Sequence, residues 1–79
     1  MDSYMVPDGM GNFGIFDENG NLVGGATEFG TGEYVHTDLN GNVTGYSVSD
    51  GNGGIGIFDE DNNLKGYGFG DDADGFGLF

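Results

Sequence analysis

Asp17, Asn19 and Asn21 set three oxygen-bearing side chains at alternate positions, and Glu28 stands where a twelfth-position ligand would fall. Calcium loops use that spacing because a hard cation collects carboxylate and amide oxygens. The glycine such a loop requires at its sixth position is replaced by Leu22. In the equivalent segments that start at Asp38 and Asp59, the twelfth position is Ser49 and Gly70. Turn chemistry accounts for the same Asp and Asn residues without a metal. The expectation is no cofactor, with weak, millimolar calcium binding at 59–63 or 71–74 as the most that crowded acids could offer.

Other catalytic chemistry is thinly represented. His36 is the single histidine and there is no cysteine. His36 occupies the place that Ile15 and Ile57 take in neighbouring segments, so a satisfied strand histidine is expected rather than a base or ligand. Ser47 and Ser49 have no base in the same frame. Carboxylates are plentiful, yet nothing in their spacing sets two of them across a cleft as glycoside hydrolysis requires. The glycine-rich run GNGGIGIF (51–58) lacks the lysine or helix start that holds phosphate. The sequence reads as a non-enzyme.

Charge is the strongest compositional signal. Fourteen acids face one base, Lys65, for a net charge of −13 over 79 residues. A compact chain of this length spans about 30 Å, or one net charge per roughly 2–2.5 Å, against about 1.7 Å along duplex DNA. Direct binding to nucleic acid or to an anionic membrane is therefore not expected. A basic protein surface or a divalent cation is the natural complement. The acidic start MDSYMVPDGM lacks the positive region and apolar core of a signal peptide, and no apolar run approaches a membrane span. A complete cytoplasmic polypeptide is expected, with a piece of a longer surface array as the alternative.

The elements that carry these residues follow from an internal repeat. Segments 11–31, 32–52 and 53–73 align without a gap at a period of 21 residues, superposing Asp17, Asp38 and Asp59, then Asn21, Asn42 and Asn63, then Gly24, Gly45 and Gly66. Each reads as a β-hairpin. Gly20 and Gly41 stand at the turn position that needs positive φ, Asn62 replaces them in the third, and the leading Asp caps turn N–H groups. Simple pairing places Phe16 opposite Leu22, Ile15 opposite Val23 and His36 opposite Thr44, with Gly14 facing Gly24 and Gly56 facing Gly66. The face bearing Phe16 and Phe58 is then the expected core, and Tyr4, Tyr34, Tyr46 and Tyr67 lie on the less buried one.

Residues 1–10 match a returning half-repeat and 74–79 an outgoing one. The predicted fold is a single all-β domain, 1–79, of tandem 21-residue hairpin repeats. It forms a small antiparallel sheet or barrel-like meander, closed where the two half-repeats pair.

The stretches YVHTDLNGNVTGYS and FGIFDENGNLVGG resemble YD-type (Rhs-like) repeats, whose units run to about this length and place an aromatic-x-aromatic-Asp strand before a glycine turn. The resemblance implies hairpin architecture and carries no activity. Thr37 departs from the pattern before Asp38, and Asn replaces the usual basic residue after the turn glycine. A likeness to choline-binding wall repeats stops at their tryptophans, which this chain lacks.

These features lead to one functional expectation. The chain is an acidic, non-enzymatic binding protein for a basic surface of a partner, one that itself binds nucleic acid, in the manner of phage inhibitors such as DNA mimics and anti-CRISPR proteins. The expected contact residues are Asp17, Glu18, Asp38, Asp59, Glu60 and Asp61 on one rim. Asp71, Asp72 and Asp74 lie on the other, and Tyr34, Tyr46 and Tyr67 between them. The alternatives are a calcium-stabilised surface repeat module and a homo-oligomer joined through the half-repeat ends.

Overall fold

A computed structural model describes residues 3–79. Eight strands follow one another: β1 (Ser3–Pro7), β2 (Asn12–Asp17), β3 (Leu22–Gly30), β4 (Glu33–Asp38), β5 (Val43–Ser49), β6 (Gly54–Asp59), β7 (Leu64–Asp71) and β8 (Gly75–Leu78). Each pairs antiparallel with its sequence neighbour, and β1 also pairs β8 through Ser3↔Leu78, Tyr4↔Gly77 and Met5↔Phe76. The half-repeats thus close the sheet into a barrel and remove its open edges. The body measures 30 × 27 × 25 Å. No helix is long and apolar enough to cross a membrane among the described residues.

Three hairpins share one turn. The Gly20 N–H donates to the Asp17 carbonyl at 3.0 Å while the Asp17 N–H donates to the Asn21 carbonyl at 2.9 Å. The same pair of bonds recurs at Asp38 and Asp59. The three-residue loop ends in a left-handed residue, with φ of 83° at Gly20, 86° at Gly41 and 70° at Asn62. Asn stands in for glycine at that conformation because its short polar side chain tolerates it.

The turn is followed by a bulge that simple pairing does not anticipate. Phe16 faces Leu22, as expected, but Ile15 faces Gly24 rather than Val23. Likewise His36 faces Gly45 and Ile57 faces Gly66. One extra residue on the returning strand (Val23, Thr44 or Lys65) shifts all later pairs by one, as a β-bulge does. Gly14 therefore faces Gly25, and Gly56 faces Tyr67.

The expected core face is corrected by the same geometry. Phe16 and Phe58 lie outside the barrel, half-buried, their rings folded over the glycines of their own strands. A Cβ on Gly14 would sit 3.0 Å from the Phe16 ring, and one on Gly56 3.3 Å from the Phe58 ring. The core is the opposite face: Met5, Phe13, Ala26, Tyr34, Ile55, Phe76 and Leu78, with Ile15 and Ile57 packed against it.

This interior obeys the 21-residue period. Phe13, Tyr34, Ile55 and Phe76 form one set of four, Ile15, His36, Ile57 and Leu78 a second, and Met5, Ala26, Ser47 and Gly68 a third. The first two sets come from the even strands and the third from the odd ones, so bulky and small residues alternate around a narrow barrel. Gly68 has no room for more, since a Cβ there would lie 2.6 Å from Leu78 and 2.8 Å from Ile55. In the first set the Phe13 and Tyr34 rings meet edge to face at 5.1 Å, with Phe76 at 6.0 Å from Phe13 and 6.2 Å from Tyr34.

Candidate functional site

The antiparallel meander sends alternate turns to opposite ends, and that sorts the acids. The turns after β2, β4 and β6 carry Asp17, Glu18, Asp38, Asp59, Glu60 and Asp61 to one end. The turns after β1, β3, β5 and β7, with the strand ends beside them, carry Asp8, Glu28, Glu33, Asp50, Asp71, Asp72 and Asp74 to the other.

Six of these acids do structural work. At Asp17 the Asn21 and Asn19 N–H groups each donate to Oδ1 at 2.9 Å. Asp38 accepts from Asn40 and Asn42, and Asp59 from Asp61 and Asn63. At the opposite end Asp8 accepts from Met10 and Asn12, Asp50 from Asn52 and Gly54, and Asp71 from Ala73 and Asp74. Donation from Asn21 holds the Asp17 carboxyl below its ordinary value, as do Asn42 for Asp38, Asn52 for Asp50 and Asn63 for Asp59. Asp17, Asn19 and Asn21 are thus organised as a turn. Among the described residues no group of three or more His, Cys, Asp or Glu side chains converges on a metal-sized site.

The remaining carboxylates, Glu18, Glu28, Glu33, Glu60, Asp61, Asp72 and Asp74, accept no turn hydrogen bond among the described residues and face water at the two rims. Lys65 pairs with Asp59 at 3.6 Å, a contact too exposed to matter much.

The end bearing Asp71 and Asp72 is open. Two adjoining cavities of about 260 and 230 Å³ enter the barrel there, and Glu28, Tyr34 and Asp72 line both. Tyr34 corrects an expectation. It is an inner-face residue, 2 % exposed, rather than part of an outer tyrosine patch. It faces Glu28 across the β3–β4 pair, so both side chains lie on the inner face of the sheet. Burial, then the charges of Glu28 and Asp72, push the Tyr34 phenol above its ordinary value.

Tyr46 and Tyr67 do lie outside. Tyr46 faces Phe58 across β5–β6, and Tyr67 is 59 % exposed. Tyr46 lines one shallow groove with Phe29, Val48 and Phe58, and Tyr67 borders a separate apolar one with Val48, Leu64 and Phe69, floored by Gly56. Phe79 meets Phe69 edge to face at 5.8 Å beside it.

Inside the barrel, Ser47 does meet the histidine that the repeat frame withheld from it. His36 Nε2 lies 2.7 Å from Ser47 Oγ, and Ser47 is fully buried. Burial lowers the imidazole to about 4. The pair occupies positions that are Ile and Ala in the first repeat and is enclosed by the barrel wall.

No protein-family model matches this chain, and no curated protein or solved structure does.

Proposed function

We propose that this protein is a non-enzymatic acidic binding protein that occupies a basic, nucleic-acid-binding surface of a partner protein, as DNA-mimicking inhibitors do. The carrying observation is the division of its carboxylates. Six are explained by turn hydrogen bonds, while seven more crowd the two rims with no structural partner among the described residues. Charges of one sign destabilise a compact body through self-repulsion, so acids with no role in the fold point to an external cation-rich surface. The spacing of net charge across a 30 Å body is close to that of a nucleic-acid backbone. The exposed Tyr67 and Phe69, with the half-buried Tyr46, supply the aromatic contact area that protein interfaces favour.

The test is capture of partners from cytosol, followed by elution with duplex DNA or RNA at constant ionic strength. Salt-sensitive capture reversed by nucleic acid, unchanged between EDTA and calcium, supports the reading. Capture that requires calcium and ignores nucleic acid favours a calcium-stabilised surface module instead.

A further inference from the structure

The open end of the barrel offers more than diffuse negative charge. Its floor is Tyr34, which is almost wholly buried yet makes no side-chain hydrogen bond among the described residues, so its hydroxyl opens into the mouth. Glu28 stands across the strand pair from Tyr34 on the same inner face, and Asp72 reaches both lobes of the cavity from the β7–β8 turn. Phe13, packed edge to face with Tyr34, lines one lobe. Asn12, Thr31 and Ser49 also line the mouth. Asp71 is tied to the Ala73 and Asp74 N–H groups, which leaves two carboxylates without a turn role and a phenol oxygen to meet a ligand. The chain's only lysine belongs to β7 near the opposite end.

Such a set rejects anions and selects among cations. Calcium takes six to eight oxygens and magnesium a tight octahedron, whereas two carboxylates on separate elements make neither cage. A guanidinium is planar and weakly hydrated, carries five N–H donors in a fixed fork and packs against aromatic rings. Either lobe is large enough for one.

We propose that this mouth is a receptor for the guanidinium group of an arginine side chain, held between Glu28 and Asp72 over the Tyr34 hydroxyl. That assignment rests on the acidic-binder reading for its biological source, a basic partner surface, but the site itself can be tested without a partner.

The probe is Nα-acetyl-arginine methylamide, titrated into the ¹⁵N-labelled protein and followed by amide shifts. The citrulline and lysine analogues and calcium chloride serve as parallel probes. Saturable shifts at Glu28, Tyr34, Asp72 and the surrounding turn glycines are expected with the arginine probe and absent with neutral citrulline. Glu28→Gln and Asp72→Asn should each weaken binding by about five- to tenfold, with unchanged spectra elsewhere. Glu18→Gln at the opposite rim should change nothing. Equal shifts with citrulline, or indifference to Glu28→Gln and Asp72→Asn, overturn the assignment. So does equal binding of the lysine probe, or calcium displacing the arginine probe at lower concentration. If the arginine probe fails to bind and a basic partner is still captured, the arginine site is wrong and the acidic-binder reading survives. If the arginine probe binds and no basic partner is ever captured, the site stands and the reading falls.

Discussion

His36 Nε2 and Ser47 Oγ lie 2.7 Å apart inside the barrel, where the first repeat has Ile15 and Ala26. One polar residue from each of two strands satisfies the other, so a buried imidazole is tolerated in an otherwise apolar layer. His36 is 6 % exposed and its imidazole is lowered to about 4.

The sign of the resulting pH dependence is fixed. Above pH 6.5 both folded and unfolded chains hold a neutral imidazole, and its contribution to stability is intact. Between 6.5 and about 4 the unfolded chain takes up a proton that the folded one refuses, so stability falls as pH falls. The loss should approach about 3 kcal/mol and level off below that window. Urea unfolding at pH 7 and pH 4.5 measures it. His36→Ile with Ser47→Ala should abolish this component. Ser47→Ala alone should destabilise at pH 7 by about 1–3 kcal/mol, because it leaves a buried nitrogen without a partner.

A second acid transition belongs to the turns. The carboxyls of Asp17, Asp38, Asp50 and Asp59 are held below 3.8 by N–H donation, so their contribution is present above that value and lost as pH falls through their folded values. Asp38→Ala should lower the melting temperature by several degrees, and Asp38→Asn by less, since an amide oxygen can still accept from Asn40 and Asn42. Melting curves at pH 7 compare the two.

Asn62 is the only described non-glycine residue with positive φ, at 70°. Asn62→Ala should cost about 1 kcal/mol and Asn62→Gly less than half as much, because alanine alone meets the steric penalty of the left-handed region. Chemical denaturation of the two variants distinguishes backbone strain from loss of the amide.

Gly45 answers to a different constraint. A Cβ there would collide with the Phe58 carbonyl on the neighbouring strand, as one on Gly24 would with the Thr37 carbonyl. Gly45→Ala should therefore destabilise by roughly 2 kcal/mol or more through backbone displacement, whereas Gly51→Ala meets open space and should cost less despite its φ of 78°. Thermal unfolding ranks them.

Much of this architecture was legible in the residues. The period of 21, the turn glycines with Asn62 in their place, and the half-repeats at both ends dictate hairpins and their closure. The burial face is not legible from simple hairpin pairing, because a bulge slips each returning strand by one residue at Val23, Thr44 and Lys65 and brings Gly24 and Ala26 to the side of Ile15. The aromatic before the turn then looked like core. The better signal was Phe13, Tyr34, Ile55 and Phe76, one large residue per even strand at the repeat period. That pattern becomes meaningful only when the sheet is closed into a barrel. Closure turns Tyr34 inward to floor the mouth, and the slip of β5 brings Ser47 to the side of His36.

On the proposed function, the rim carboxylates with no turn role exist for a partner. The direct test replaces Glu18, Glu28, Glu33, Glu60, Asp61, Asp72 and Asp74 with their amides and compares this variant with the parent in melting temperature and in capture of nucleic-acid-displaceable partners. The predicted result is a fold at least as stable, since self-repulsion is relieved, with capture lost. A variant that captures the same partners as the parent, or a parent that captures none, would contradict the account.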